Sequence, residues 1–149
     1  MDRLYFPETE THAKQWAETE HEHASQSADS GKEFGFEIET LDKTLVGRIS
    51  THHCDLRCGT FSYGLFVARE HRQKGYASEA IRLVLRYYFG ELRYQKVTVY
   101  VYDFNEASLR LHARLGFQQE GRLRRMVYTD GKHFDTIVFG LTAEEFYSL

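Results

Sequence analysis

The stretch REHRQKGYASEAI, Arg69 to Ile81, decides how the rest of the chain is read. Before it lies a run rich in β-branched and aromatic residues that ends at Val67. From Tyr76 the apolar residues recur at helical spacing, with Ala77, Ala80, Ile81, Val84, Leu85 and Tyr88 on one face and Glu79, Arg82 and Arg86 on the other. Arg72, Gln73, Lys74 and Gly75 therefore sit where a strand hands over to a helix. The first N–H groups of a helix have no partner inside it and carry the positive end of its dipole, so such a junction suits a phosphate. Gly75 lets the backbone approach the oxygens closely, and Arg72 and Lys74 add charge suited to a polyanion. A solvated basic loop ahead of an amphipathic helix has the same composition. The stretch is neither the dinucleotide fingerprint, which needs more glycines, nor a Walker A loop, which needs lysine and a hydroxyl residue after its last glycine. Its pattern is Arg-x-x-Gly-x-Ala, Arg72 to Ala77.

Working downstream, Gly90 is read as the end of that helix. Lys96–Asp103, KVTVYVYD, is a continuous strand apolar enough to be central and parallel to the strand before the helix. Phe61–Asp103 is then a β-α-β unit with the usual right-handed crossover. A second helix follows, capped by Asn105 and facing Ala107, Leu111 and Leu115 inward, with Gly116 and Phe117 as a Schellman stop. MVYTDGKHFDTIVFGL reads as a hairpin closed by Asp130-Gly131. Thr142 and Glu145 form a capping box for a last short helix.

Upstream, Phe34–Leu41, Leu45–His53 and Gly59–Val67 read as three strands bounded by turn residues. Before them, Glu8 to Lys32 is acidic with scattered Ala13, Trp16 and Ala17, consistent with a helix that fades near SADSGK. The expected fold class is α/β with a mixed sheet: antiparallel strands, one parallel pair and a terminal hairpin, in a single domain over 1–149.

The chain of 149 residues is long enough for one full core. A net charge of −3 gives no basic field for nucleic acid. No apolar run reaches the length of a membrane span, and Met1–Tyr5 does not read as a signal peptide. The expectations are a cytoplasmic location, no nucleic acid and no membrane. His52, His53, Cys54 and Cys58, in STHHCDLRCGT, could supply zinc ligands, but their spacing matches no common zinc motif. A hairpin turn with Asp55 and Gly59 accounts for the same residues, so no metal is expected.

Arg72-x-x-Gly75-x-Ala77 followed by SEAI resembles the pyrophosphate-binding motif of the GCN5-related N-acetyltransferases, the GNAT superfamily. FSYGLFV resembles the strand leading into that motif. NEASLRLHARLGF, Asn105–Phe117, is similar to the segment with Asn-x-x-Ser and Leu-Gly-Phe of the ribosomal-protein N-terminal acetyltransferase (RimJ/RimL-like) branch. EGRLRRMVYTDGKHFDTIVFGL is similar to the closing hairpin of that branch and of spermidine acetyltransferases. These features run in register over Leu45 to Leu141.

The resemblance implies transfer of acetyl from acetyl-CoA to a primary amine by direct attack, without a covalent intermediate. The implied fold has two parallel strands that splay apart, with the pantetheine arm in the gap. Backbone near Leu65, Phe66 and Val67 would pair with that arm. Arg72 and the amides of Gln73, Lys74, Gly75, Tyr76, Ala77 and Ser78 would hold the pyrophosphate, and Asn105 would contact the cofactor. Ser108 matches the serine that RimJ/RimL-like enzymes place near the sulfur. His112 stands where many relatives carry a tyrosine acid, a departure that leaves the proton donor open between the two. Tyr128, before the hairpin turn, is a further candidate for the donor, though it is expected in the core or as a substrate wall. For the base, Val127 replaces a glutamate of some RimL-like members, leaving a water chain or a carboxylate such as Glu39.

Glu8 to Glu33 carries seven carboxylates against Lys14 and Lys32. The family resemblance places this segment beside the acceptor, where it would favour a cationic amine; a solvated helix face reads the same way. The family's first strand and helix have no counterpart ahead of YFPETETHAKQWAE. Either that strand is absent, leaving Phe34–Leu41 at a sheet edge, or the chain is truncated. An exposed edge invites pairing, which predicts a homodimer or a covering segment. A non-catalytic acyl-CoA-binding regulatory module is the alternative to an enzyme.

Overall fold

The computed structural model describes Glu33 to Leu149. The acidic segment read as a helix over Glu8 to Lys32 lies outside those residues. Six strands form one sheet: β1 (Gly35–Glu39), β2 (Leu45–Asp55), β3 (Thr60–Val67), β4 (Lys96–Tyr102), β5 (Gln118–Thr129) and β6 (Lys132–Thr142). Their order is β1-β2-β3-β4-β6-β5, and every neighbouring pair is antiparallel except β3/β4. Among the described residues the α-helices are α1 (Tyr76–Arg86), α2 (Glu106–Arg114) and α3 (Ala143–Tyr147). The expected mixed α/β architecture is present.

The single parallel pair is short. β3 and β4 are matched only at Thr60–Lys96 and Phe61–Val97, although both continue for several more residues. The register of all strands places Ile49, Phe61, Tyr63, Val97, Val99, Val101, Ile137, Phe139 and Leu141 on one face, and all are buried. α1 and α2 cover that same face. Phe61 stacks on Tyr88 at 4.2 Å, and Tyr63 lies against His112 of α2. Each large apolar side chain buried there contributes about 1.5–3 kcal/mol.

Several local expectations are met by their own chemistry. Thr129 pairs with Lys132 across Asp130 (φ 54°) and Gly131 (φ 72°), the two positive φ angles of a type I′ turn. The Thr142 side chain accepts from Glu145 N–H while Glu145 reaches back to Thr142 N–H. Phe117 N–H bonds His112 O and Gly116 N–H bonds Ala113 O, closing α2 as a Schellman motif at Gly116 (φ 89°).

Three expectations are corrected. Gly90 does not stop the first helix. α1 passes into a wide π turn over Tyr87–Glu91 that contains Gly90 and buries Tyr88 and Phe89. Aromatic burial carries the chain past the glycine, and Arg93 (φ 60°), not Gly90, takes the left-handed conformation. On α2 the inward stripe is Ser108, Leu111, His112 and Leu115, whereas Ala107 is exposed. β5 starts at Gln118, well before Met126. It is an edge strand whose exposed residues and two register shifts, at Gln119/Gly121 and Leu123/Val127, break the alternation that marks a strand in sequence.

Candidate active site

Both helix N-termini of the α/β portion open at the same end of the sheet, since α1 follows the end of β3 and α2 follows the end of β4. That is the end where the two strands have lost their pairing. Ligands of open sheets with parallel strands bind outside the strands' carboxyl ends, where neighbours part.

The alternation of the ladder tells which backbone groups face the gap. Ala68 N–H bonds Val46 O at 2.8 Å, and so points to β2. In an antiparallel pair the direction alternates by residue, so Phe66 also faces β2 while Leu65 and Val67 turn toward β4. Gly59, of the same parity, accepts from Gln95 and Lys96 N–H on the β4 side, which agrees. Leu65 and Val67 thus present main-chain groups to the unpaired stretch, and Arg72 Nε donates to Val67 O at 3.0 Å.

After Val67 the chain makes a short 3-10 turn, Arg69–His71, and then places Gln73 (φ 61°) and Gly75 (φ 84°) in the left-handed region. The first helical bond at this end is Glu79 N–H to Gly75 O, 3.1 Å. The amides of Gln73 to Ser78 precede it and have no main-chain acceptor among the described residues. Among the described residues a Cβ at Gly75 would meet nothing within 4 Å, so they leave the space above this turn open. The loop expected to hold an anion therefore has unspent donors, a helix N-terminus and room.

At the second N-terminus Asn105 Oδ1 accepts from Ser108 N–H at 3.2 Å, the capping bond expected of it. Ser108 is also held from its other end. The His112 ring folds back one turn and places Nδ1 2.8 Å from Ser108 O and 3.3 Å from Ser108 Oγ. Its Nε2 is 2.9 Å from Tyr63 Oη. His112 is 4% exposed, with Phe117 and Phe139 packed on the ring. Burial pushes its pKa below the ordinary histidine value, opposed by the hydrogen bond to Ser108 O. Tyr63, 6% exposed, is held well above the usual phenol value by burial. Ser108 and His112 are thus brought together, with Tyr63 as a third member that sequence reading missed. Its only signal was an aromatic residue on the core face of β3, which fits any packing role.

Other expected residues fall elsewhere. Tyr128 is 65% exposed beside His133, so it is not a core residue. Glu39 ends β1 and lies near Lys43. On β5, Arg122 Nε meets Asp135 Oδ2 at 2.6 Å and its Nη2 meets Asp103 Oδ2 at 3.1 Å. Asp135 Oδ1 accepts from Arg125 N–H, and these bonds hold the carboxyl of Asp135 below its usual range. The cluster pins the β5 bulge to the end of β4. In the cysteine segment, Asp55 Oδ1 caps the turn through Arg57 and Cys58 N–H. Among the described residues, no three His, Cys, Asp or Glu side chains gather as metal ligands would.

The arrangement has relatives. Residues 1–118 match the family described as Acetyltransferase (GNAT) domain. The chain is 44% identical over 146 residues to the SPbeta prophage-derived uncharacterized N-acetyltransferase YokL of Bacillus subtilis (strain 168), covering 98% of this chain and 78% of that protein. It is 27% identical over 100 residues to the spermidine N(1)-acetyltransferase of Vibrio cholerae serotype O1, covering 67% of this chain and 58% of that protein. The fold superimposes on the spermidine/spermine N-acetyltransferase SpeG from Vibrio cholerae with a TM-score of 0.78 at 22% identity, covering 88% and 77% of the two chains. The family match runs past both helix N-termini of the site, and on that evidence the chain belongs to the GNAT acetyltransferase family.

Proposed function

We propose that this acetyltransferase moves the acetyl group of acetyl-CoA onto a cationic primary amine, a polyamine or a protein N-terminus, by direct attack in a ternary complex. The observation that carries the reading is the parallel pair that parts after two matched positions, with unspent amides at its mouth. Leu65 and Val67 offer the gap main-chain groups that an extended pantetheine arm can pair with. Phe66 turns its own away, so its part is to hold β3 in place. The amides of Gln73, Lys74, Gly75, Tyr76, Ala77 and Ser78 suit a diphosphate, with Lys74 nearby for charge and Arg72 bracing the turn through Val67 O. Asn105 caps α2 beside the same opening.

In this reading the cationic amine first gives a proton to solvent; the neutral amine then attacks the thioester carbon and the carbon–sulfur bond breaks. The sulfur leaves as thiolate and is neutralised by the amine's surplus proton. A gap-facing N–H of β3 stabilises the oxyanion. Ser108 Oγ–H donates a hydrogen bond to the departing sulfur and keeps its own proton. Holding the two reactants together accounts for several kcal/mol of the barrier, about 7–11 in favourable cases. The Asn-x-x-Ser pattern supports the RimJ/RimL-like branch. Use of acetyl-CoA supports a cytoplasmic site of action, and no helix of the described residues is long and apolar enough to cross a membrane. β1 is a sheet edge among the described residues, which supports pairing with a second copy or cover by another segment.

Calorimetry with CoA and acetyl-CoA, followed by thiol release with polyamines, amino acids, peptides and aminoglycosides, tests the proposal. Binding with turnover on at least one amine is expected. Absence of binding sinks the whole reading, and tight binding without turnover on any amine favours a regulatory module.

A further inference from the structure

The three groups around His112 fix more than its position. Ser108 O is a carbonyl and can only accept, so at 2.8 Å the ring's Nδ1 must carry the proton. In the neutral ring, which burial favours, Nε2 is then an acceptor, and the Tyr63 hydroxyl, 2.9 Å away and buried, donates to it. Both ring nitrogens are satisfied with a neutral ring. Ser108 Oγ, 3.3 Å from Nδ1, faces a donor rather than a lone pair, so its own hydrogen cannot be spent on the histidine. The other tautomer would reverse this: a bare Nδ1 would repel Ser108 O and capture the Ser108 hydroxyl hydrogen. Tyr63 is the described titratable side chain that reaches the ring; its other neighbours, Phe117 and Phe139, are apolar.

We infer that Tyr63 is a positioning residue for acetyl transfer: through His112 it anchors the first turn of α2 to β3 and keeps the Ser108 hydroxyl hydrogen free for the leaving sulfur. His112 is on this account a neutral bracket, not the acid. The inference rests on the transferase reading above for the role of Ser108, but its hydrogen-bond content stands apart from it.

Two measurements test it. Long-range proton–nitrogen correlation NMR on the protein at neutral pH should show His112 protonated at Nδ1 and bare at Nε2. An Nε2–H tautomer or an imidazolium would overturn the inference whether or not any acetyl transfer is found. In kinetics, Tyr63→Phe should lower kcat by roughly tenfold to a hundredfold, with KM for acetyl-CoA and CoA affinity within about threefold of the parent. Because that variant leaves Nε2 buried without a donor, Tyr63→Phe/His112→Phe is the control. Two apolar rings orphan no polar atom, so stability should recover while kcat stays low. Parental kcat in folded Tyr63→Phe, or recovery of kcat in the double variant, would overturn the inference. A parent that neither binds CoA nor turns over refutes the transferase reading instead, and the tautomer then decides the hydrogen-bond arrangement.

Discussion

Gly75 carries two demands that can be separated experimentally. Its φ of 84° is left-handed, which costs an L residue about 1–2 kcal/mol, yet a Cβ there meets no atom of the described residues within 4 Å. Gly75→Ala and Gly75→Glu should therefore lose similar, modest stability in thermal melts. Only the glutamate, which sets a carboxylate where the proposed diphosphate would sit, should weaken CoA binding by more than about a hundredfold by calorimetry, since each 1.4 kcal/mol is tenfold. Equal affinities in the two variants would remove the phosphates from this turn. His112 makes a prediction about acid. Its folded pKa lies below that of the unfolded chain, near 6.5, so on acidification the unfolded state takes the proton first. The stability tied to the neutral ring is intact above that value and is lost as pH falls from it toward the folded pKa. The slope is at most about 1.4 kcal/mol per pH unit. Urea titrations from neutral pH into the acid range should show a steeper loss for the parent than for His112→Phe. Parallel curves would mean the histidine titrates alike in the folded and unfolded chains, so that the fold does not hold it neutral.

At the scale of elements, the sequence revealed what local chemistry dictates and concealed what packing or bulging decides. The turn at Asp130-Gly131, the Asn105 cap, the Gly116 stop and the capping box are each written in two to four neighbouring residues. His112 reads as polar by type, yet it is buried because Tyr63 and Ser108, one distant in sequence, satisfy both nitrogens. Gly90 reads as a stop until Tyr88 and Phe89 find the core beyond it. The polar, twice-bulged β5 has no period to detect. The proposed anion-holding loop could be picked out because its features, helix-terminal donors and a left-handed glycine, are local. Tyr63 was not, because nothing near it in sequence records its partner. The Asn105 cap gives the test at this scale. Asn105→Ala should cost about 1 kcal/mol in denaturant unfolding, whereas Asn105→Asp should keep most of that stability, because it retains an oxygen for Ser108 N–H. If both lose equally, the cap is not what holds the first turn of α2.

At the scale of the sheet, one feature connects the fold to the proposed site: a parallel pair that closes at Phe61–Val97 and then opens. The antiparallel partners outside it, β2 and β6, continue their ladders past that point, so each diverging strand stays rigid on one side while offering main chain on the other. This makes an alternating pattern in amide exchange that no surface loop would give. In the free protein Gly64 and Phe66, which face β2 by the ladder's alternation, should exchange slowly, and Leu65 and Val67, which face the gap, should exchange faster. Adding CoA should slow Leu65, Val67 and the amides of Gln73 to Ser78 together, and leave Gly64 and Phe66 nearly unchanged. If the ligand instead protects all of β3 evenly, it acts by tightening the sheet as a whole. If it protects the Gln73–Ser78 turn alone, the diphosphate is gripped but the arm does not lie between the strands, and direct transfer from that gap is ruled out.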